Sequence, residues 1–306
     1  MRRLAALALV VVSVAACAGD DDDAASPATT STTAAPTTTT TAVPDTRYVE
    51  PTFAGVDITR DLVYGSAPGP DGAPEDLKLD LYLPRGDDVT DRPAILFFHG
   101  GGFANGDKTQ GVSPLMAEHF ASLGYVTVSG NYRLLAGAGC TGNGDDTGRC
   151  GPAALEGIHD GQAAVRWLRD NAALYGVDPD RIGIGGESAG GVIAYGAGTW
   201  SDAPGESGTP GVSSEVQAFM SLSGGLPNGL FADAGDAPGI FFASTGDPIV
   251  PHSWSVDGQA KLEAAGTVAE LVTYDGNVHV PFREERDDII AKTIAFFAEH
   301  LVGSGA

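Results

Sequence analysis

Basic residues are scarce. The chain of 306 residues carries 17 Lys and Arg against 40 Asp and Glu, a formal net charge of −23. Phosphate backbones and anionic lipid surfaces are held by clustered Lys and Arg, so nucleic acid and electrostatic docking on a membrane are excluded as main partners. The acidity reads as a solvated surface. Long apolar runs are missing too: the run Leu4–Val12 is too short for a membrane span. There are only three cysteines, and no His stands at ligand spacing from Cys140 and Cys150, which argues against a metal pair. No repeat at a fixed period is visible. Glycine, by contrast, is abundant at 43 residues, and 42% of the chain is hydrophobic, which fits a globular protein. The length is ample for a buried core.

The N-terminus reads MRRLAALALVVVSVAAC. Arg2 and Arg3 form a basic start, the apolar run fits a signal h-region, and Val14–Cys17 resembles the lipobox of bacterial lipoproteins. Residues 1–16 are therefore expected to be a signal peptide, with Cys17 lipidated and the protein held at the outer face of the membrane by that lipid alone. Each buried methylene of such a chain adds about 0.8 kcal/mol to anchoring. Residues 17–46 hold four consecutive Asp and then Thr, Ala, Pro and Ser with almost nothing large and apolar, the composition of a disordered tether. Its mean reach as a coil is roughly 30 Å. The catalytic or binding domain is expected over 47–306. In an exported protein Cys140 and Cys150 should pair, and closing so short a loop contributes about 3 kcal/mol in the chain-entropy model. Whether that loop edges a site or only braces the fold is open at this level.

Strand-like and helix-like runs alternate through the domain. Leu77–Leu83 alternates apolar and polar side chains, as a half-buried strand does, and Pro93–Phe98 is a continuous apolar run that suits a strand covered on both faces. Strands are also expected at Tyr125–Ser129, Arg181–Gly185, Val216–Ser221, Ile240–Ser244 and Ala269–Tyr274. Helices are expected at Val112–Leu123, Ala154–Tyr175, Ala189–Gly198, Val256–Ala265 and Glu284–His300. Thr199–Glu215 reads as a loop. Such alternation implies an α/β fold: a mostly parallel sheet with helices on both faces.

The chemistry-bearing residues fall at strand ends. Gly186-Glu187-Ser188-Ala189-Gly190 matches G-x-S-x-G. The pentad alone is weak, with about 0.4 chance matches expected in so glycine-rich a chain. Its context strengthens it: the strand RIGIG enters the pentad and a helix of small residues leaves it, the strand–turn–helix elbow that exposes a nucleophilic serine. His99-Gly100-Gly101-Gly102 follows the strand PAILFF directly, and about 0.02 such matches are expected by chance. Glycines there let backbone N–H groups turn toward a developing oxyanion, each such donor contributing about 3–4 kcal/mol to the transition state. A phosphate-cradling loop is the competing use, but no Lys follows the glycines.

A serine nucleophile needs a base and an acid to orient that base. His279 follows the strand AELVTY and precedes the last helix; His252 is its competitor. Asp247 lies just past Ile240–Ser244, with Asp275 and Asp257 as fallback acids.

Taken together, HGGGF, NYRL (Asn131–Leu134), AVRWLRDNA, YGVDPDRIGIGGESAGG, TGDPIVP and NVHVPF resemble the α/β-hydrolase carboxylesterases, nearest to hormone-sensitive-lipase-like and feruloyl-esterase-like members. The resemblance spans about residues 57–300. The order Ser188, Asp247, His279 is that of the fold's triad. The resemblance implies an eight-stranded sheet whose second strand is antiparallel, an oxyanion hole from the N–H groups of Gly101, Gly102 and Ala189, and no metal or organic cofactor. The TGNGDDTG loop and Val278, where a glycine often precedes the histidine, depart from its pattern. The segment Gly224–Gly239 is too short for a cap domain, so an open site is expected, suited to short-chain or polymer-displayed carboxylic esters. The rival readings are a serine peptidase or amidase on the same fold, and a non-catalytic exported binding lipoprotein.

Overall fold

The computed structural model describes residues 46–69, 71–140, 148–201, 205 and 207–303. Cys17, the signal segment and the tether up to residue 45 lie outside them, as do residues 141–147 of the cysteine loop.

Eight strands form one sheet: β1 (Val56–Pro68), β2 (Pro74–Pro84), β3 (Arg92–Phe98), β4 (Val126–Gly130), β5 (Val177–Glu187), β6 (Ala218–Leu222), β7 (Gly239–Ser244) and β8 (Ala269–Tyr274). Their spatial order is β1-β2-β4-β3-β5-β6-β7-β8. β2 runs antiparallel to β1 and β4, and every other neighbouring pair is parallel. The helices between them are α1 (Ser113–Leu123), α2 (Cys150–Asp170), the single turn α3 (Ala172–Tyr175), α4 (Ala189–Thr199), α5 (His252–Ala264) and α6 (Arg286–Phe297).

β3 shows why continuous apolar runs become central strands. Ala94, Leu96 and Phe98 point to one face, where they join Ile158, Val165 and Leu168 of α2 and Val192 and Ile193 of α4 in one core. Ile95 and Phe97 point to the other, where Met116 and Phe120 of α1 and Ile289, Phe296 and Phe297 of α6 cover them. Both faces are buried, so no polar alternation survives in the sequence.

β2 departs from the half-exposed strand its alternation suggests. Asp80, on its polar face, is fully buried. Lys108 Nζ meets it at 2.7 Å and Arg60 at 3.0 Å, so the carboxylate is compensated inside the fold. β1 carries no strand signal in the sequence because most of it is a solvent-facing edge, interrupted where Asp61 takes φ 57° and the register with β2 shifts. The helix expected at 154–175 starts earlier, at Cys150, and breaks at Asn171; Gly176, at φ 63°, ends the turn that follows. Among the described residues no helix is long and apolar enough to cross a membrane.

Candidate active site

β5 delivers Glu187 and Ser188 to the sheet's C-terminal edge, and α4 begins at the next residue. Ser188 sits at φ 53°, ψ −116°, a conformation that a non-glycine residue holds only when its surroundings enforce it. The surroundings are tight. A Cβ on Gly190 would lie 2.0 Å from the Phe98 carbonyl oxygen, and one on Gly186 would lie 2.5 Å from it. The two pentad glycines therefore let the end of β3 pass against the elbow. The Ser188 N–H donates to Leu222 O at 2.8 Å, which ties the turn to β6.

Three side chains from separate strand ends meet here. Ser188 Oγ lies 2.8 Å from His279 Nε2, and His279 Nδ1 lies 2.8 Å from Asp247 Oδ2 and 3.0 Å from Oδ1. A carboxylate only accepts, so Nδ1 carries a proton and a neutral ring leaves Nε2 free to accept from the serine. Burial works to raise the Asp247 carboxyl. Hydrogen bonds from His279 and from the N–H groups of Ile249 and Val250 outweigh it and hold the group below the usual carboxylate range. The two loops are stitched together by Thr245 N–H to Tyr274 O and Gly246 N–H to Gly276 O. Val280, at φ 57°, donates its N–H to Ser223 Oγ at 3.2 Å, which fixes the residue after His279 from the end of β6. No motif marks Ser223 in the sequence.

The alternatives lie elsewhere. His252 opens α5, and its Nε2 pairs with Thr273 Oγ1 on β8. Both ring nitrogens of His279 are engaged by Ser188 and Asp247, which leaves none for Asp275 or Asp257.

The glycine loop wraps the nucleophile. A Cβ on Gly100 would lie 3.2 Å from Ser188 Cβ. Gly101, at φ 127°, accepts the N–H groups of Ala104 and Asn105, and a Cβ there would lie 1.9 Å from Asn105 O. Gly102 follows at φ 61°. Gly102 and Ala189 border the same cavity as Ser188, while Gly101 is not among its described lining residues. Ala189 is the first residue of α4, where backbone N–H groups have no partner within the helix. His99 supports the loop from beneath: its Nδ1 donates to Gly100 O at 2.7 Å and its ring stacks on Tyr132 at 4.5 Å.

Glu187, inside the pentad, is buried with no ion-pair partner among the described residues. Its Oε1 accepts the Val112 N–H at 2.9 Å, and its Oε2 meets no partner among the described residues. Burial pushes its carboxyl up to about 7, against the pull of the Val112 and Gly100 N–H groups.

The cavity over Ser188 encloses about 480 Å³. Its walls are apolar: Phe103, Ile158, Leu230, Phe231 and Trp254, with no charged side chain among the described lining residues. The connection between β6 and β7 carries one short turn, Pro227–Gly229, and no inserted domain. Even so, it supplies Leu226, Pro227, Leu230 and Phe231, so the site is more enclosed than its short length suggests. Cys140 and Cys150 are bridged, and both line this cavity.

Residues 79–224 match the family model BD-FAE. The chain is 37% identical over 122 residues to human arylacetamide deacetylase-like 2, covering 27% of that protein. It is 35% identical over 102 residues to carboxylesterase NlhH of Mycobacterium tuberculosis, again covering 27%. These alignments span about a third of this chain and about a quarter of the curated relatives. Among solved structures, Thermogutta terrifontis esterase 2 phosphorylated by paraoxon superposes with a TM-score of 0.64 at 26% identity, covering 81% of this chain and 95% of that one. The propionate-bound form superposes with a TM-score of 0.61 at 28% identity, covering 82% and 95%. The eight-stranded sheet, its one antiparallel strand and the elbow at Ser188 are those of the α/β-hydrolase fold.

Proposed function

We propose that this protein is a serine carboxylesterase acting on short-chain or polymer-displayed carboxylic esters. The observation that carries the reading is the unbroken line from Asp247 through His279 to Ser188 at the floor of an apolar cavity. The similarity to a propionate-bound esterase supports a short acyl group.

In the proposed reaction Ser188 Oγ attacks the ester carbonyl while His279 Nε2 takes its proton. Asp247 holds the ring by Nδ1 and stabilises the imidazolium. The N–H groups of Gly101, Gly102 and Ala189 take the tetrahedral oxyanion, with Gly102 and Ala189 nearest the cavity. His279 returns the proton to the leaving alcohol, and water then releases the acyl group from Ser188 by the same route. The chemistry needs no metal or organic cofactor.

The test is hydrolysis of p-nitrophenyl acetate, butyrate, octanoate and palmitate beside the Ser188→Ala variant. Activity should fall as the acyl chain lengthens, and the variant should lose at least about a thousandfold in kcat. Full activity in Ser188→Ala, or equal rates on the matched p-nitroanilides, would contradict the esterase reading; the second result would favour an amidase.

We also propose that the protein is exported and held at the outer face of a bacterial membrane through lipid on Cys17. The basic start, apolar run and Val14–Cys17 support this. Cys17→Ser should move the protein from the membrane fraction to the soluble one; unchanged fractionation would contradict it.

A further inference from the structure

The Cys140–Cys150 bridge does more than close a loop. Cys150 is the first residue of α2, and Cys140 ends the stretch that leaves β4 and passes the glycine loop. A Cβ built on Gly102 would lie 3.7 Å from the backbone N and O of Cys140, so this stretch packs beside the loop that borders Ser188. The bridge thus joins the neighbour of Gly102 to the start of α2. From there α2 contributes Gly151, Ala154, Leu155 and Ile158 to the cavity, so one wall is a helix whose first residue is covalently fixed.

Beside the bridge, Arg149 Nη1 donates to Ala136 O at 3.0 Å across the same junction, but the usual capping devices are missing from that helix end. Arg149, at the N-cap position, makes no side-chain cap, and the first turn carries no acidic residue to meet the helix dipole. Glycines flank the bridge on the helix side: Gly148, at φ 66°, and Gly151, beside which a Cβ would meet nothing within 4 Å. A backbone with this freedom drifts unless it is tied. Both cysteines are half-buried and form part of the cavity surface.

We propose that the Cys140–Cys150 disulfide is a specificity-determining wall of the cavity, setting the largest neutral, apolar substrate group that fits over Ser188. The proposal rests on the esterase reading. With the bridge intact the wall is fixed close to Gly102 and short groups are favoured; with it open the start of α2 moves away and longer groups enter.

The experiment measures kcat/KM on p-nitrophenyl acetate, butyrate, hexanoate and octanoate for four forms of the full chain. These are the oxidised protein, the protein reduced with dithiothreitol, the same protein reoxidised with oxidised glutathione, and the double variant Cys140→Ser/Cys150→Ser. Dithiothreitol converts the bridge to two thiols and is itself oxidised to its cyclic disulfide; intact mass confirms the thiol state at each stage. In the reduced protein and the double variant the octanoate-to-acetate ratio should rise by at least about tenfold, with acetate hydrolysis retained, and reoxidation should restore the original ratio. An unchanged chain-length profile overturns the proposal, as does an equal loss on every ester, which would make the bridge a brace alone. If the double variant does not fold, the reduced and reoxidised protein decides between these outcomes, with acetate turnover reporting that it is folded. An oxidised protein inactive on every ester would remove the esterase reading itself, a failure told apart because it precedes any reduction.

Discussion

Glu187 is a residue whose surroundings oppose its ordinary chemistry. It sits one peptide from Ser188, buried, with the Val112 N–H on Oε1 and no ion-pair partner among the described residues. Its carboxyl is pushed up to about 7 from 4.5. The folded state therefore keeps a proton that the unfolded state has already released. The stability Glu187 contributes is fully present below about pH 4.5 and is lost as pH rises through 7, at a slope on the order of 1 kcal/mol per pH unit. Gln carries no such proton, so Glu187→Gln should gain on the wild type as pH rises from 5 to 8, read as the difference in urea midpoints. A difference that does not change with pH would contradict this assignment. Sequence exposes the position of Glu187 inside the pentad but not its burial, which depends on Val112 and Gly100 from other segments. The same holds for Ser223. The residues marked by motif, Ser188, Asp247 and His279, are those with recognisable neighbours at strand ends; the residues that hold them have none.

At the scale of elements, the turn from β5 into α4 leaves the backbone little room. In an open helix position Gly→Ala gains about 1 kcal/mol from helix propensity. At Gly190 the added methyl would lie 2.0 Å from the Phe98 carbonyl oxygen, a backbone atom that cannot step aside without moving β3. The clash should win: Gly190→Ala should lose about 2 kcal/mol or more by urea unfolding. Wild-type stability in that variant would mean the strand ends are looser than the structure has them. Elements with a single environment along their length were the legible ones. β3 is buried on both faces and reads as one apolar run, and α2 presents Ile158, Val165 and Leu168 on one side. β1 is illegible because its edge position leaves most of its side chains in solvent and its bulge breaks the alternation. The start of α2 is missed because neither a capping side chain nor an acidic first turn announces it.

At the scale of the whole molecule, the fold class follows from the alternation of strands and helices, and the parallel sheet places the chain's chemical groups at one edge. The cavity is another matter. Its described walls come from residues 102–103, 140, 150–158, 188–192, 226–231 and 249–254, and no local pattern joins them. They become neighbours only when the sheet forms, so neither the volume nor the place of the bridge in the wall could be read beforehand. Among the described lining residues none is charged, which fits the neutral ester proposed above. The central claim is that one serine, activated by His279, attacks the substrate. Paraoxon tests it most directly, because it reports the attacked residue as a stable phosphoryl adduct. One equivalent should inactivate the protein, with the diethylphosphoryl group on the peptide that carries Ser188 and no adduct in Ser188→Ala. Inactivation with the adduct on another residue, or ester hydrolysis that survives full modification of Ser188, would contradict it.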